Sequence, residues 1–282
     1  MWKNKKVSVI FPTYNEKDSI RAAIEDFLAS ELVDEIVVVN NNAAQGTDDE
    51  VRAARKNGDS SHIFIKSVAY PVINDGNMGT VPIFPALPVV RLVYETRQGY
   101  GYAIWKGLEE ATGDLLIISE PDGTFSGHDV IKLLAYSDDV PVVVGTRTVR
   151  IFVWEGANMG FMLKWGNWAV GKLMEFLFNT TILTDVGCSM RLLSREAYER
   201  IAPQFTVGGS AFGPQIMLLT ILNHIPFIEI AVNYRKRVGD SSVTGNKVRA
   251  VFLGLEMIAM ILRYRLLSWL GLFPKNGRPP DK

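Results

Sequence analysis

Short apolar runs that stop at polar clusters, with helix-patterned segments between them, constrain this chain more than any other feature. Val7–Phe11 (VSVIF) stops at Pro12, and Glu35–Val39 (EIVVV) stops at three asparagines. Arg91–Glu95 (RLVYE), Asp114–Ser119 (DLLIIS) and Val142–Gly145 (VVVG) repeat the pattern, and His62–Lys66 (HIFIK) is a further candidate strand. Between them, Ile20, Ile24, Phe27 and Leu28 fall on one helical face, as do Ala103, Ile104, Gly107, Leu108 and Ala111. Strands without polar alternation, separated by helices, predict an α/β fold with a mostly parallel sheet covered on both faces. Residues 67–90 carry four prolines and read as an irregular excursion or lid.

Ligands of such sheets sit beyond the carboxyl ends of the strands. The residues there are Pro12-Thr13-Tyr14-Asn15-Glu16, Asn40-Asn41-Asn42, Thr96-Arg97-Gln98-Gly99, Glu120-Pro121-Asp122 and Gly145-Thr146-Arg147. Two carboxylates at i and i+2 after a buried strand can turn toward one point. With oxygen ligands alone they suit Mg²⁺ or Mn²⁺ better than zinc. The alternative is a solvated turn in which Gly123 supplies a positive φ. Asn15 has two readings as well, a ligand contact or the N-cap of the following helix.

Charge and cysteine content narrow the class. Thirty basic and thirty acidic residues give no net charge, which argues against a nucleic-acid partner. The balance is uneven: Arg235–Arg265 holds seven basic residues against two acids. Cys188 is the only cysteine, so no internal disulfide forms, and a reducing compartment is expected. It reads as a packed residue, and His62, His128 and His224 lack metal-ligand spacing. The N-terminus has no signal-peptide pattern, and no apolar run reaches membrane-spanning length.

The ordered motifs VSVIFPTYNE, VDEIVVVNNNAAQGT, YETRQGYGYAIWKGLEEATGDLLIISEPDGTF, LTDVGCSMRLLSREAYERI and VNYRKRVGDSSVTG resemble family-two glycosyltransferases. The branch they resemble includes dolichyl-phosphate mannose and polyprenyl-phosphate glucose synthases. The resemblance runs from Val7 to about Arg265 and implies a GT-A-like fold, a nucleotide-sugar donor linked to UDP or GDP, a divalent ion and an inverting single displacement. It implies Glu120 and Asp122 at the metal. Pro12, Tyr14, Asn15, Glu16, Asn41 and Gly99 would line the donor. Arg147, Lys164, Asn167, Arg237 and Ser241 would hold an acceptor phosphate, and Asp185 would orient the acceptor side or act as a base. This chain departs from its relatives in having Glu120 before Asp122, Asn40 and Asn41 after the second strand, Ser242 where relatives often carry lysine, and Gln215 where they often carry an acid.

The missing acid at Gln215 points to the acceptor. An alcohol needs a base to take its proton, whereas a phosphate is already ionised and needs cationic groups to hold it. A polyprenyl-phosphate acceptor is therefore expected. A soluble or glycan acceptor, and a non-catalytic nucleotide-sugar binder, stay open. The expected organisation is a glycosyltransferase domain over 1–245, with a donor half to about 125 and an acceptor half after it. Residues 246–273 form an apolar helix flanked by basic residues, with a second amphipathic stretch at Met159–Phe178, and 274–282 form a polar tail. Such helices suit a peripheral position on anionic lipid, here the inner, cytoplasmic face of a membrane. A homo-oligomer or a membrane-protein partner is left open.

Overall fold

The computed structural model describes residues 1–58, 69–74, 77–82, 88–157, 161–239 and 247–273. The central sheet has seven strands: β1 (Val7–Thr13), β2 (Glu35–Asn40), β5 (Val89–Tyr94), β6 (Leu115–Ile118), β7 (Val142–Thr146), β8 (Arg191–Ser194) and β9 (Phe227–Ala231). Their spatial order is β5-β2-β1-β6-β8-β7-β9. β8 runs antiparallel to both neighbours, and every other pairing in this sheet is parallel. Two strands of a separate hairpin, β3 (Ala69–Asn74) and β4 (Asn77–Pro82), fall inside the stretch expected to be irregular. Two strands make two edges, and an edge tolerates prolines such as Pro71 and Pro82 because no ladder hydrogen bond is lost there. The expected strand at His62–Lys66 and the tail lie outside the described residues.

Both sheet faces are covered. Val9, Phe11, Ile36 and Val38 pack with Ile20, Ile24 and Phe27 of α1 (Lys17–Leu28), and with Leu133 and Leu134 of α4 (Val130–Tyr136). Ile10, Val37 and Val39 face the other way, onto Ala103, Ile104 and Leu108 of α3 (Tyr100–Glu110). The same cluster takes in α7 (Phe212–Leu222), α5 (Phe161–Phe178) and α8 (Lys247–Trp269), through residues such as Ile216, Met174 and Ile261. Among the described residues the other α-helices are α2 (Thr47–Gly58) and α6 (Arg195–Ile201). β1 is buried along its whole length, which is why its sequence shows no polar alternation.

The strand directions decide where chemistry can gather. β1, β2, β5, β6, β7 and β9 all end on one edge of the sheet, so the segments that follow them meet there. Because β8 is reversed, the chain before it, Asp185–Ser189, arrives at the same edge.

Candidate active site

A cavity of about 470 Å³ opens at that edge. Pro12 lies near the end of β1, and Tyr14 and Glu16 follow it; Asn41 follows β2; Gln98 and Tyr100 follow β5; Glu120 follows β6; Arg147 follows β7; Tyr234 and Arg237 follow β9. Asn167 of α5 and Leu253 and Met257 of α8 complete the wall named here.

The acidic corner is built by a tight turn. Gly123 has φ +81°, a conformation that costs glycine little. The turn lets Thr124 donate its backbone N–H and its hydroxyl to Asp122 Oδ1, at 2.9 and 2.5 Å. Asp122 is fully buried, and its Oδ2 has no aligned hydrogen-bond donor. Its nearest charge is Arg237 Nη1 at 2.8 Å, close enough for an ion pair. The same Nη1 is 3.6 Å from Glu120 Oε2, and Nη2 is 3.1 Å from Glu16 Oε1. Three carboxylates therefore share one guanidinium. Burial and the neighbouring Asp122 charge push the Glu120 carboxyl up to about 7, although part of its side chain still faces the cavity. The Tyr100 hydroxyl approaches Glu120 Oε1 at 3.3 Å. Burial, and then the Glu120 charge, hold that hydroxyl well above the ordinary tyrosine range.

Glu120 and Asp122 fit a divalent cation that completes its shell elsewhere. Both offer hard oxygen, and Asp122 Oδ2 is a buried acceptor aimed toward the corner. Among the described residues no group of three or more His, Cys, Asp or Glu side chains could hold a metal ion by itself. A site of this type relies on substrate phosphates for its remaining ligands.

The same cavity is also lined by a cationic group, Arg147. Arg147 makes a bidentate pair with the fully buried Asp185, Nε to Oδ2 at 2.7 Å and Nη2 to Oδ1 at 2.8 Å. The Arg147 backbone N–H adds a third bond to Oδ2 at 3.0 Å. Burial opposes the Arg147 charge, but Asp185 overrides it and keeps the guanidinium firmly protonated. The Tyr234 ring lies 5.2 Å from the guanidinium carbon. Both oxygens of Asp185 accept hydrogen bonds from this arginine. Gln215 is buried and amide-locked: it accepts from Thr206 N and Val207 N and donates to Thr206 Oγ1 and Tyr264 Oη.

Other anticipated residues sit differently. Asn15 is exposed, and the N-cap position of α1 belongs to Glu16, with no side-chain cap bond. The capping reading of Asn15 is corrected by Glu16 itself, whose carboxylate turns back to accept from Tyr14 N and Asn15 N. Asn41 lines the cavity, but its amide is occupied by loop carbonyls of Glu95 and Arg97 and by Gly99 N. Asn40 likewise is engaged locally, donating to Asp48 at the start of α2 and accepting from Ala43 N. Lys164 is half-buried on α5 and is not part of the cavity wall, and Ser241 and Ser242 lie outside the described residues. Tyr100, Ser189, Tyr234, Leu253 and Met257 also line the cavity and went unread. Tyr234 could have been found had β9 been recognised, since it stands three residues beyond that strand.

Gly99 precedes α3 with φ +152°, and a Cβ there would run into the Gly208 carbonyl. Gly99→Ala is expected to destabilise the fold by roughly 1–3 kcal/mol, from overpacking against rigid backbone. Urea unfolding measures it, and an unchanged midpoint would contradict this account of the loop.

The profile of glycosyl transferase family 2 matches residues 8–69 and 71–202. The chain belongs to this family. Among curated proteins, a low-salt glycan biosynthesis hexosyltransferase of Haloferax volcanii is 23% identical over 84% of the chain. The chain spans about half the length of that relative, 49%. A dolichyl-phosphate beta-glucosyltransferase of Dictyostelium discoideum is 22% identical, covering 96% of this chain and 77% of the relative. Glucosyl-3-phosphoglycerate synthase from Mycobacterium tuberculosis, solved with Mn²⁺, UDP-glucose and phosphoglyceric acid, superposes with a TM-score of 0.62 at 15% identity. That match covers 96% of this chain and 82% of the synthase, and it shows the expected GT-A-like fold. The family-two glycosyltransferase thus carries its acidic corner after β6 and its paired Arg147 after β7, at one cavity.

Proposed function

We propose that this family-two glycosyltransferase moves a hexose from a nucleotide sugar to a polyprenyl phosphate by an inverting displacement, at the cytoplasmic face of a membrane. The observation that carries the reading is the presence, at one cavity, of the Glu120–Asp122 corner and the Asp185-held Arg147, with Leu253 and Met257 of α8 in the wall. Glu120 and Asp122 would hold Mg²⁺ or Mn²⁺, which when bound offsets the charge that grows on the departing nucleoside diphosphate. Pro12, Tyr14, Glu16 and Asn41 would line the donor, with Gly99 and Asn15 shaping its loops. Arg147 and Asn167, with Arg237 and Ser241, would hold the acceptor phosphate.

The absence of a free base supports this acceptor. Among the described residues, Asp185 is spent on Arg147 and Gln215 is an amide, so nothing on that side is set to take a proton from an alcohol. A phosphate monoester needs no such group. The dolichyl-phosphate acceptor in the relative's name points the same way. The test is glycosyl-lipid formation from UDP- and GDP-sugars with Mn²⁺ or Mg²⁺. Efficient transfer to soluble acceptors, with none to a polyprenyl phosphate, would overturn the reading.

The surface around α8 supports a peripheral position. Val251, Phe252, Leu255, Leu262, Leu266 and Trp269 are exposed on one side of the helix, while Met257, Ile261 and Tyr264 pack inward. Arg263 is exposed beside them. Among the described residues no helix is long and apolar enough to cross a membrane. An apolar face with arginines fits a helix lying in the plane of anionic lipid. Fully burying each large apolar side chain contributes about 1.5–3 kcal/mol. Phe252→Glu with Leu255→Glu is therefore expected to cut co-sedimentation with phosphatidylglycerol vesicles by about tenfold or more. Activity on a short, soluble isoprenyl phosphate should persist, and unchanged sedimentation would contradict membrane docking through α8.

A further inference from the structure

Arg237 is engaged with the acidic corner rather than with Arg147. Its guanidinium is drawn to the acidic corner, 2.8 Å from Asp122 Oδ2 and 3.1 Å from Glu16 Oε1. Arg237 lines the cavity, whereas Asp122 is fully buried with no exposure of its own. Any cation approaching Asp122 Oδ2 from the cavity must therefore displace this guanidinium.

The backbone around Arg237 is tied down, while its side chain is held through ion pairs that a competing cation can replace. Arg235 N donates to Thr124 O at 2.8 Å, and Val238 N donates to Asp122 O at 2.9 Å. These bonds strap residues 235–238 over the turn that presents Asp122. The side chain is held by charge alone at two of its three carboxylate contacts. Asp122 Oδ2 and Arg237 Nε are both buried without an aligned hydrogen-bond partner. Such an arrangement neutralises the corner without satisfying it.

We propose that Arg237 is the exchangeable counter-ion of the acidic corner: a divalent cation and the guanidinium compete for Asp122 Oδ2, and the cation releases Arg237 into the cavity. This rests on the reading of Glu120 and Asp122 as the cation's protein ligands. Three carboxylates against one guanidinium leave the corner short of positive charge, so a dication suits it better than the arginine does, provided phosphate oxygens complete the shell. Released Arg237 moves toward Tyr234 and Arg147, which share the cavity. The acceptor phosphate then meets two guanidinium groups only after the donor corner is loaded.

The test is Mn²⁺ binding to the full chain without nucleotide, followed by the electron-spin signal of free Mn²⁺ and by calorimetry. Arg237→Gln is expected to bind Mn²⁺ at least about tenfold more tightly than the unaltered chain, because a competing unit charge is gone. Arg237→Lys should fall between them. Equal or weaker Mn²⁺ binding by Arg237→Gln would overturn the exchange while leaving the metal site intact. Asp122→Asn separates the two readings, since Mn²⁺ binding that survives it would remove the metal assignment and the exchange together. Arg237→Gln leaves three carboxylates adjacent, so its fold is checked by thermal unfolding. Saturating Mn²⁺ should raise its midpoint by more than it raises that of the unaltered chain, and an equal or smaller rise would also overturn the exchange.

Discussion

Asp122→Asn is expected to lower kcat/KM for glycosyl transfer by about 10³-fold or more, with Mg²⁺ or Mn²⁺ saturating. The magnitude follows from losing charge stabilisation at the departing diphosphate, where a single preorganised electrostatic contact accounts for about 10²–10³ and a metal for several kcal/mol. Asparagine is the better probe than alanine. It keeps an oxygen for the two Thr124 donors that fix Oδ1, so the turn can survive while the charge at Oδ2 is lost. Asp122→Ala also removes those bonds, and it should lose stability as well as activity. The paired measurement is a glycosyl-lipid assay beside urea unfolding. Near-normal kcat/KM in a folded Asp122→Asn protein would exclude Asp122 from the metal site.

Asp185→Asn is expected to raise the acceptor KM by about ten- to a hundredfold and leave the shape of the pH profile of kcat unchanged. The carboxylate is fully buried and takes three N–H groups of Arg147, so its loss unfixes the guanidinium. Breaking a buried ion pair from one side costs about 3–5 kcal/mol, and Asp185→Ala should show that cost in urea unfolding. A general base at this position predicts something else, a fall in kcat of about 10²–10⁴ and loss of the acid limb of the pH profile. The split between KM and kcat decides between them. Asp185→Glu, which keeps the charge but displaces it, should recover part of the acceptor affinity if positioning is the role.

Most of the central sheet was readable in order. β1, β2, β5, β6 and β7 are apolar runs long enough to announce themselves, and the parallel arrangement follows from their lack of alternation. β8 and β9 escaped. Arg191–Ser194 is only four residues long and begins with a buried arginine that donates to the Gly213 and Cys188 carbonyls. Phe227–Ala231 is partly exposed and interrupted by Glu229, whose carboxylate accepts from Thr184 and Asp185 N–H groups. A short strand whose polar residue is satisfied by a distant loop has no local signature.

The acidic turn after β6 was legible for a different reason. Glu120-Pro121-Asp122-Gly123 combines a strand end, a stiff residue and a glycine that adopts positive φ, so its local geometry is written in consecutive residues. What each charge does was not. Arg147 and Asp185 are 38 residues apart and pair only because β7 and the segment before β8 reach one edge. Arg237 lies 221 residues from Glu16, yet both meet at the same corner.

The sequence by itself determined the α/β class, the strand ends that carry polar chemistry and the family to which they belong, because those properties reside in short contiguous patterns. Only the tertiary structure decided which charges are paired, which oxygens stay free and which carboxylates Arg237 engages. Electrostatic pairing depends on distances of a few ångströms and on burial. Both are set by the strand order, not by separation along the chain.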